Sequence, residues 1–187
     1  MIALVAKIKD IEPKAAALFL AEGSGHPSDR RSAAPQRPPG SARETLKPLD
    51  YLQPDHPSIE ALGVTAETAA AWESGYAPKG IMRGRYAVPL KAVDGTLVAY
   101  VGIAVSDEQS PRLHFPNGFD PQTVIFGADR ITDGPLSLVR DPLQAIVAWQ
   151  SGIENVITFL TATIAPQQLE QLASLIDEKG CETVEMF

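Results

Sequence analysis

The segments PLSLV (135–139), DPLQAIVAWQSG (141–152), NVITFLT (155–161), APQQLEQLASLIDEKG (165–180) and CETVEMF (181–187) alternate between two rhythms. The first and third are short, mainly apolar runs of the kind that form buried strands, and the fifth reads as a final strand. The second is closed by Gly152, which predicts a helix with a glycine stop. The fourth carries Leu169, Leu172, Leu175 and Ile176 at helical spacing, so it predicts an amphipathic helix. A β-α-β-α-β order of this length predicts a small parallel sheet with right-handed crossovers.

Upstream the pattern changes. RYAVPL (85–90) and LVAYVGIAV (97–105) read as strands joined through Val93-Asp94-Gly95-Thr96, whose Asp-Gly pair signals a hairpin. RLHF (112–115) and VIFGADRI (124–131) are shorter strand candidates. SIEALGV (58–64) and TAETAAAWE (65–73) read as helices, with Thr65 a fair start and Gly63 and Gly75 as punctuation. Residues 23–48 are rich in Pro, Gly, Ser and Arg and hold too little apolar surface to offset their ordering entropy, so they read as a linker. That linker is basic: Arg30, Arg31, Arg37, Arg43 and Lys47 face Asp29 and Glu44. It is either a solvated connector or a loose phosphate-contacting arm. Residues 1–22 read as two short helices, about 1–9 and 11–22, too small to bury a core alone.

The whole chain has 187 residues, 44% hydrophobic and 21% charged, with a formal net charge of −7. No apolar run approaches the ~20 residues of a membrane span, and the short apolar run at Met1 to Ala6 has no basic leader or cleavage signature, so a cytoplasmic protein without membrane contact is expected. The lone Cys181 excludes an internal disulfide and a self-contained Cys-rich zinc site. His26, His56 and His114 make no ligand set. Neither a G-x-x-x-x-G-K-[ST] phosphate loop nor a G-x-S-x-G elbow occurs. The negative charge gathers at the C-terminal end, whereas Lys79, Arg83, Arg85, Lys91 and Arg112 outnumber the acids between Ser74 and Arg112. A basic strand pair beside an acidic lobe suits strand guidance through phosphates, and it equally suits solvated faces. Tyr76, Tyr86 and Tyr100 suit base stacking or, more commonly for strand tyrosines, core packing. Trp72 and Trp149 read as packing residues, and Cys181 as a core residue.

The order RGRYAVPLKAVDGTLVAYVGI, SPRLHFPNGFD, VIFGADRI and then the β-α-β-α-β unit resembles the catalytic core of bacterial DnaG-type DNA primases. In that family a strand-turn-strand of the form R-h-x-F-P-I … D-x-x-G-x-h-I-G-F is followed by P-K-Y-x-N-S and by a Toprim domain with V-E-G-x-x-D. The N-terminal MIALVAKIKDIEPKAAALFLAE is similar to the stretch that follows the primase zinc ribbon. The resemblance implies an α+β protein with four parts. They are an N-terminal helical stub (1–22), a basic linker (23–48), a small mixed primase-core-like subdomain (49–133) and a truncated, degenerate Toprim-like subdomain (134–187), the chain lacking its zinc ribbon. It implies a nucleotidyltransferase that uses Mg²⁺ and Zn²⁺ on a single-stranded DNA template.

The departures bear on that chemistry. The V-E-G-x-x-D element reads Val139-Arg140-Asp141-Pro142-Leu143-Gln144. Arg140 stands where the glutamate would be and Gln144 where the aspartate would be, and a cation cannot ligate Mg²⁺. The third strand, Val184 to Phe187, ends where a D-x-D pair would begin. These residues support no cofactor and no catalytic residue, and point away from primer synthesis by this chain on its own. Arg140 either contacts a phosphate as a fixed cation or pairs with Asp141 or another carboxylate. The P-K-Y-x-N element reads Pro111-Arg112-Leu113-His114-Phe115, keeping the cation and losing the asparagine. Two expectations follow. One is a primase-like protein of replication or a mobile element that binds nucleic acid through Lys79, Arg83, Arg85, Lys91, Arg112 and Arg140. The other is a non-catalytic interaction module that docks on a replication partner.

Overall fold

The computed structural model describes residues 46–181 and the backbone of 184–186. The helical stub expected at 1–22 and nearly all of the linker expected at 23–48 lie outside the described residues. Among the described residues eight strands make two four-stranded sheets. The first sheet runs β1 (Gly75–Tyr76), β2 (Tyr86–Lys91), β3 (Leu97–Ile103) and β4 (Leu113–His114), all antiparallel. The second has the order β5-β7-β6-β8, with β5 Ile125–Phe126, β6 Leu136–Leu138, β7 Val156–Phe159 and β8 Val184–Met186. Helices α1 (Pro57–Glu60) and α2 (Ala66–Ala71) precede the first sheet. Helices α3 (Pro142–Gln150) and α4 (Pro166–Lys179) are the crossovers of the second.

Caps and turns account for several of the boundaries. Thr65 caps α2, its Oγ1 accepting from the Thr68 N–H at 3.2 Å. The β2–β3 hairpin closes where Ala92 N–H donates to the Thr96 carbonyl at 2.9 Å, and Gly95 takes φ +80°. This is the three-residue hairpin with glycine in the left-handed position. Asp141 caps α3 and Pro142 fills its first position, where a missing N–H costs little. Helix α4 starts on Ala165, which has no capping side chain; the fully buried Gln168 serves instead. Its Oε1 accepts from the Ala165 N–H at 3.1 Å and its Nε2 donates to the Val124 carbonyl at 3.0 Å. Gly180 ends α4 with φ +67°.

The β-α-β-α-β order holds, with β6 pairing in parallel with both β7 and β8. One edge differs from an all-parallel sheet, because β5 joins β7 antiparallel. The strand expected over 124–131 is therefore short. It breaks at Gly127 (φ +85°) into a 3-10 turn, Ala128–Arg130. The RLHF strand likewise shrinks to Leu113–His114.

From β6 the chain steps through α3 to β7 on one side, then through α4 past β6 to β8 on the other. Crossovers of one hand then put the two helices on opposite faces. The packing agrees. Ala145 and Ile146 of α3 share a core with Val156 of β7 and with Val88, Leu90 and Val101 of the first sheet. Leu175 of α4 packs instead with Leu136, Ile157 and Phe159. Trp72 lies in the first core, stacked on Phe126 at 5.2 Å and edge-on to Trp149 at 6.0 Å. The Arg130 guanidinium sits 4.2 Å from the Trp72 ring centre, and its Nη2 donates to the Ala71 carbonyl at 2.6 Å. One aromatic cluster thus ties α2, β5 and α3 together. Among the described residues no helix is long and apolar enough to cross a membrane.

Tyr86 is fully buried in that core, its hydroxyl 2.8 Å from Ser74 Oγ. Burial pushes the phenol up to about 12, with the Ser74 hydrogen bond pulling the other way. Below pH ~10 both folded and unfolded chains hold this proton. Between about 10 and 12 only the folded chain does, so stability falls as pH rises through that window, by about 2–3 kcal/mol in all. Urea titrations on either side of that window should show the fall in wild type. A Tyr86→Phe variant should lose this contribution; an identical pH slope in the variant would refute it.

Candidate nucleic-acid interface

In an open sheet with parallel strands, the crevice for a ligand lies beyond the carboxyl ends of the strands, where the winding direction reverses. Here that place is the end of β6, and the residues that follow are Val139, Arg140 and Asp141. The turn closes on itself. Asp141 Oδ1 accepts from the Gln144 N–H at 3.0 Å, and Gln144 Oε1 accepts from the Arg140 N–H at 3.2 Å. Asp141 Oδ2 faces Arg112 Nη2 at 3.4 Å across from β4. The partner of Asp141 is therefore Arg112, 29 positions away, and not its neighbour Arg140. The Arg140 side chain is exposed and has no ion pair among the described residues.

This geometry is a poor fit for Mg²⁺, which wants several oxygen ligands in an octahedron. Both oxygens of Asp141 are committed to the cap and to Arg112, and a second guanidinium belongs to the adjacent residue. No group of three or more His, Cys, Asp or Glu among the described residues is arranged to hold a metal ion, which applies equally to Zn²⁺. Burial pushes the Cys181 thiol up, with Asp133 adding to it, so the group is a buried thiol and not a ready thiolate.

The other expected cations fall into two kinds. Arg85 is structural: its Nη1 donates to the Pro111 carbonyl at 2.7 Å and its Nη2 to that of Ser110 at 3.3 Å. Lys91 is paired with Glu73 at 2.8 Å, and Lys79 lies 4.8 Å over the Tyr51 ring. Arg83 is exposed and without an ion pair among the described residues. Arg112 is 63% exposed despite its contact with Asp141, and an exposed pair of that kind is worth only ~0–1 kcal/mol. Arg83, Arg112 and Arg140 are thus the cations most available to a ligand.

Two of these three sit on segments joined by side-chain hydrogen bonds. Gln109 Nε2 donates to the Gly84 carbonyl at 2.9 Å, and its Oε1 accepts from the Val105 N–H at 2.9 Å. Together with Arg85, this pins the turn that carries Arg83 to the loop that leads into Arg112. Beside that loop lies a cavity of about 260 Å³, with Leu62 and Leu143 on its apolar wall and Ser106, Asp107, Gln109 and Arg112 on its polar one. Neither Gln109 nor the cavity had a signal in the sequence, because residues 62, 104–112 and 143 meet only in three dimensions. The tyrosines are mostly spent on packing: Tyr86 and Tyr100 are buried, and Tyr76 stacks on His56 at 3.7 Å.

With this arrangement in hand, the solved structures are informative. The fold is that of a bacterial primase core. A DnaG primase catalytic domain bound to single-stranded DNA superposes with a TM-score of 0.57 at 16% identity, over 71% of this chain and 53% of that one. The Aquifex aeolicus primase, with its zinc-binding and RNA polymerase domains, gives 0.57 at 16%, over 69% and 41%. The RNA polymerase domain of Mycobacterium tuberculosis DnaG in complex with double-stranded DNA gives 0.58 at 12%, over 71% and 56%. The chain therefore spans about half the length of these primases. No protein-family model and no curated protein matches the sequence. The likeness to primases is one of fold, with the sequence far diverged.

Proposed function

We propose that this is a primase-like nucleic-acid-binding protein of DNA replication or of a mobile element, which holds single-stranded DNA by its phosphates and makes no primer on its own. The observation that carries the reading is Arg140: an exposed guanidinium, without an ion pair among the described residues, at the carboxyl end of the central parallel strand of a primase-like fold. Arg112, against the next residue in the chain, adds a second cation there. A guanidinium binds a phosphate with two parallel hydrogen bonds and keeps its charge at any working pH. It thus gives a phosphate-binding site that no divalent ion has to complete. In this reading the 134–187 segment is a degenerate Toprim-like lobe, and the basic residues 23–48 supply additional loose phosphate contacts.

The test is fluorescence anisotropy with a labelled single-stranded oligonucleotide over a salt series, using the full chain. The triple variant Arg83→Ala/Arg112→Ala/Arg140→Ala should bind more weakly. Its log–log salt slope should shrink by about 0.7 for each phosphate that the variant no longer neutralises. Arg85 is left in place because its loss would unpin the 109–111 loop. No binding by the wild-type protein at low salt would overturn the reading and leave docking on a protein partner as the function.

A further inference from the structure

We propose that the turn at 78–84 makes a second, apolar contact with single-stranded nucleic acid, in which Ile81 lies against a base face while Arg83 holds a flanking phosphate. The inference rests on the nucleic-acid reading above and adds base contact to it. Ile81 is 70% exposed, the most exposed large apolar side chain among the described residues. It does not sit on a loose loop. Arg83 N–H donates to the Gly80 carbonyl at 3.2 Å, Gly84 N–H to that of Ala77 at 2.7 Å, and Arg85 N–H to that of Met82 at 3.0 Å. Met82 next door is buried against Ala77, Ala87 and Tyr100 and anchors the turn from inside. Gly80 and Gly84 both have left-handed backbones, at φ +80° and +78°. The turn therefore holds Ile81 outward with little ordering entropy left to lose on binding.

The stretch of chain around Ile81 points to the partner. A cation stands two residues to either side, and no aspartate or glutamate occurs anywhere from Ser74 to Val93. An anionic, extended partner with apolar faces between its charges fits that pattern, and single-stranded nucleic acid has those properties. A lone isoleucine is too small an anchor for a lipid surface, where binding scales with buried apolar area. Apolar side chains, isoleucine among them, are inserted between base steps of duplex DNA, and the open base faces of a single strand offer the same apolar surface. Through Gln109 and Arg85 the turn is also fixed to the loop that ends in Arg112, so both contacts lie on segments joined by side-chain hydrogen bonds.

The experiment measures the affinity of wild type and Ile81→Ala for a labelled oligothymidine and for the same backbone bearing abasic sites, across salt. Ile81→Ala should lose about three- to tenfold in affinity for the intact oligonucleotide at every salt concentration, with an unchanged salt slope. On the abasic strand the two proteins should bind alike. Equal affinity of both proteins for intact DNA, with wild type binding well, would overturn this inference and leave the phosphate reading standing. Absence of wild-type binding to either strand would overturn both.

Discussion

Gly127→Ala should destabilise the folded domain by about 2–5 kcal/mol, a large share of a typical domain's margin. Two penalties combine at this position. Gly127 has φ +85°, a left-handed backbone that costs an L-residue ~1–2 kcal/mol. A methyl group there would also run into the carbonyl oxygen of Val156, on the strand that pairs with β5. That oxygen belongs to backbone and cannot swing away as a flexible side chain would, so overpacking adds ~1–3 kcal/mol. Gly63→Ala is the matched control. Gly63 has nearly the same φ, +84°, but nothing lies within 4 Å of its added Cβ. It should lose only the conformational part, about 1 kcal/mol after the entropy gained from the less flexible unfolded chain. Urea unfolding of the two variants reads the difference directly, and equal losses would refute the close approach as a cause. The consequence reaches the proposed interface, because Gly127 starts the turn that delivers Arg130 between Trp72 and Trp149. That contact braces α3, whose N-terminal turn carries Arg140 and Asp141.

The same glycine explains where sequence reasoning stopped. Periodicity places β6, α3, β7 and α4 because each buries an apolar face at the period of its own secondary structure. The hairpin is equally legible, since an Asp-Gly pair is needed for its left-handed turn residue. VIFGADRI looks like a strand for its first residues, but the chain turns at Gly127 (φ +85°), where any Cβ would meet the Val156 carbonyl 29 positions downstream. No local pattern encodes such an approach. The site divides the same way. Arg140, Asp141 and Gln144 stand out as departures from a motif, whereas their mutual cap is seen only in the structure. That Arg112 reaches Asp141, that Arg85 is spent on two carbonyls, and that Gln109 bridges two loops depend on long-range packing. Net charge could not separate the available cations Arg83 and Arg140 from Lys91, which Glu73 pairs.

Arg140→Glu should weaken single-stranded DNA binding by about 10- to 100-fold at low salt, because it removes a cation from one phosphate and sets a like charge against the strand. The salt slope should fall by more than the ~0.7 expected from Arg140→Ala. The more telling arm concerns the metal. Glutamate at this position restores the residue type that the resemblance to primases implies, so a metal-competent site would regain affinity when Mg²⁺ is added. This site should not. Asp141 remains tied to the Gln144 N–H and to Arg112, and two carboxylates flanked by a guanidinium fall short of the oxygen shell Mg²⁺ requires. At matched ionic strength, wild type should bind equally with Mg²⁺ or with EDTA, and Arg140→Glu should stay weak in both. Loss of wild-type binding in EDTA, or recovery of the variant in Mg²⁺, would show that this end of β6 works through a divalent ion. The fixed-cation reading would then fall, while the fold and its aromatic brace would stand unchanged.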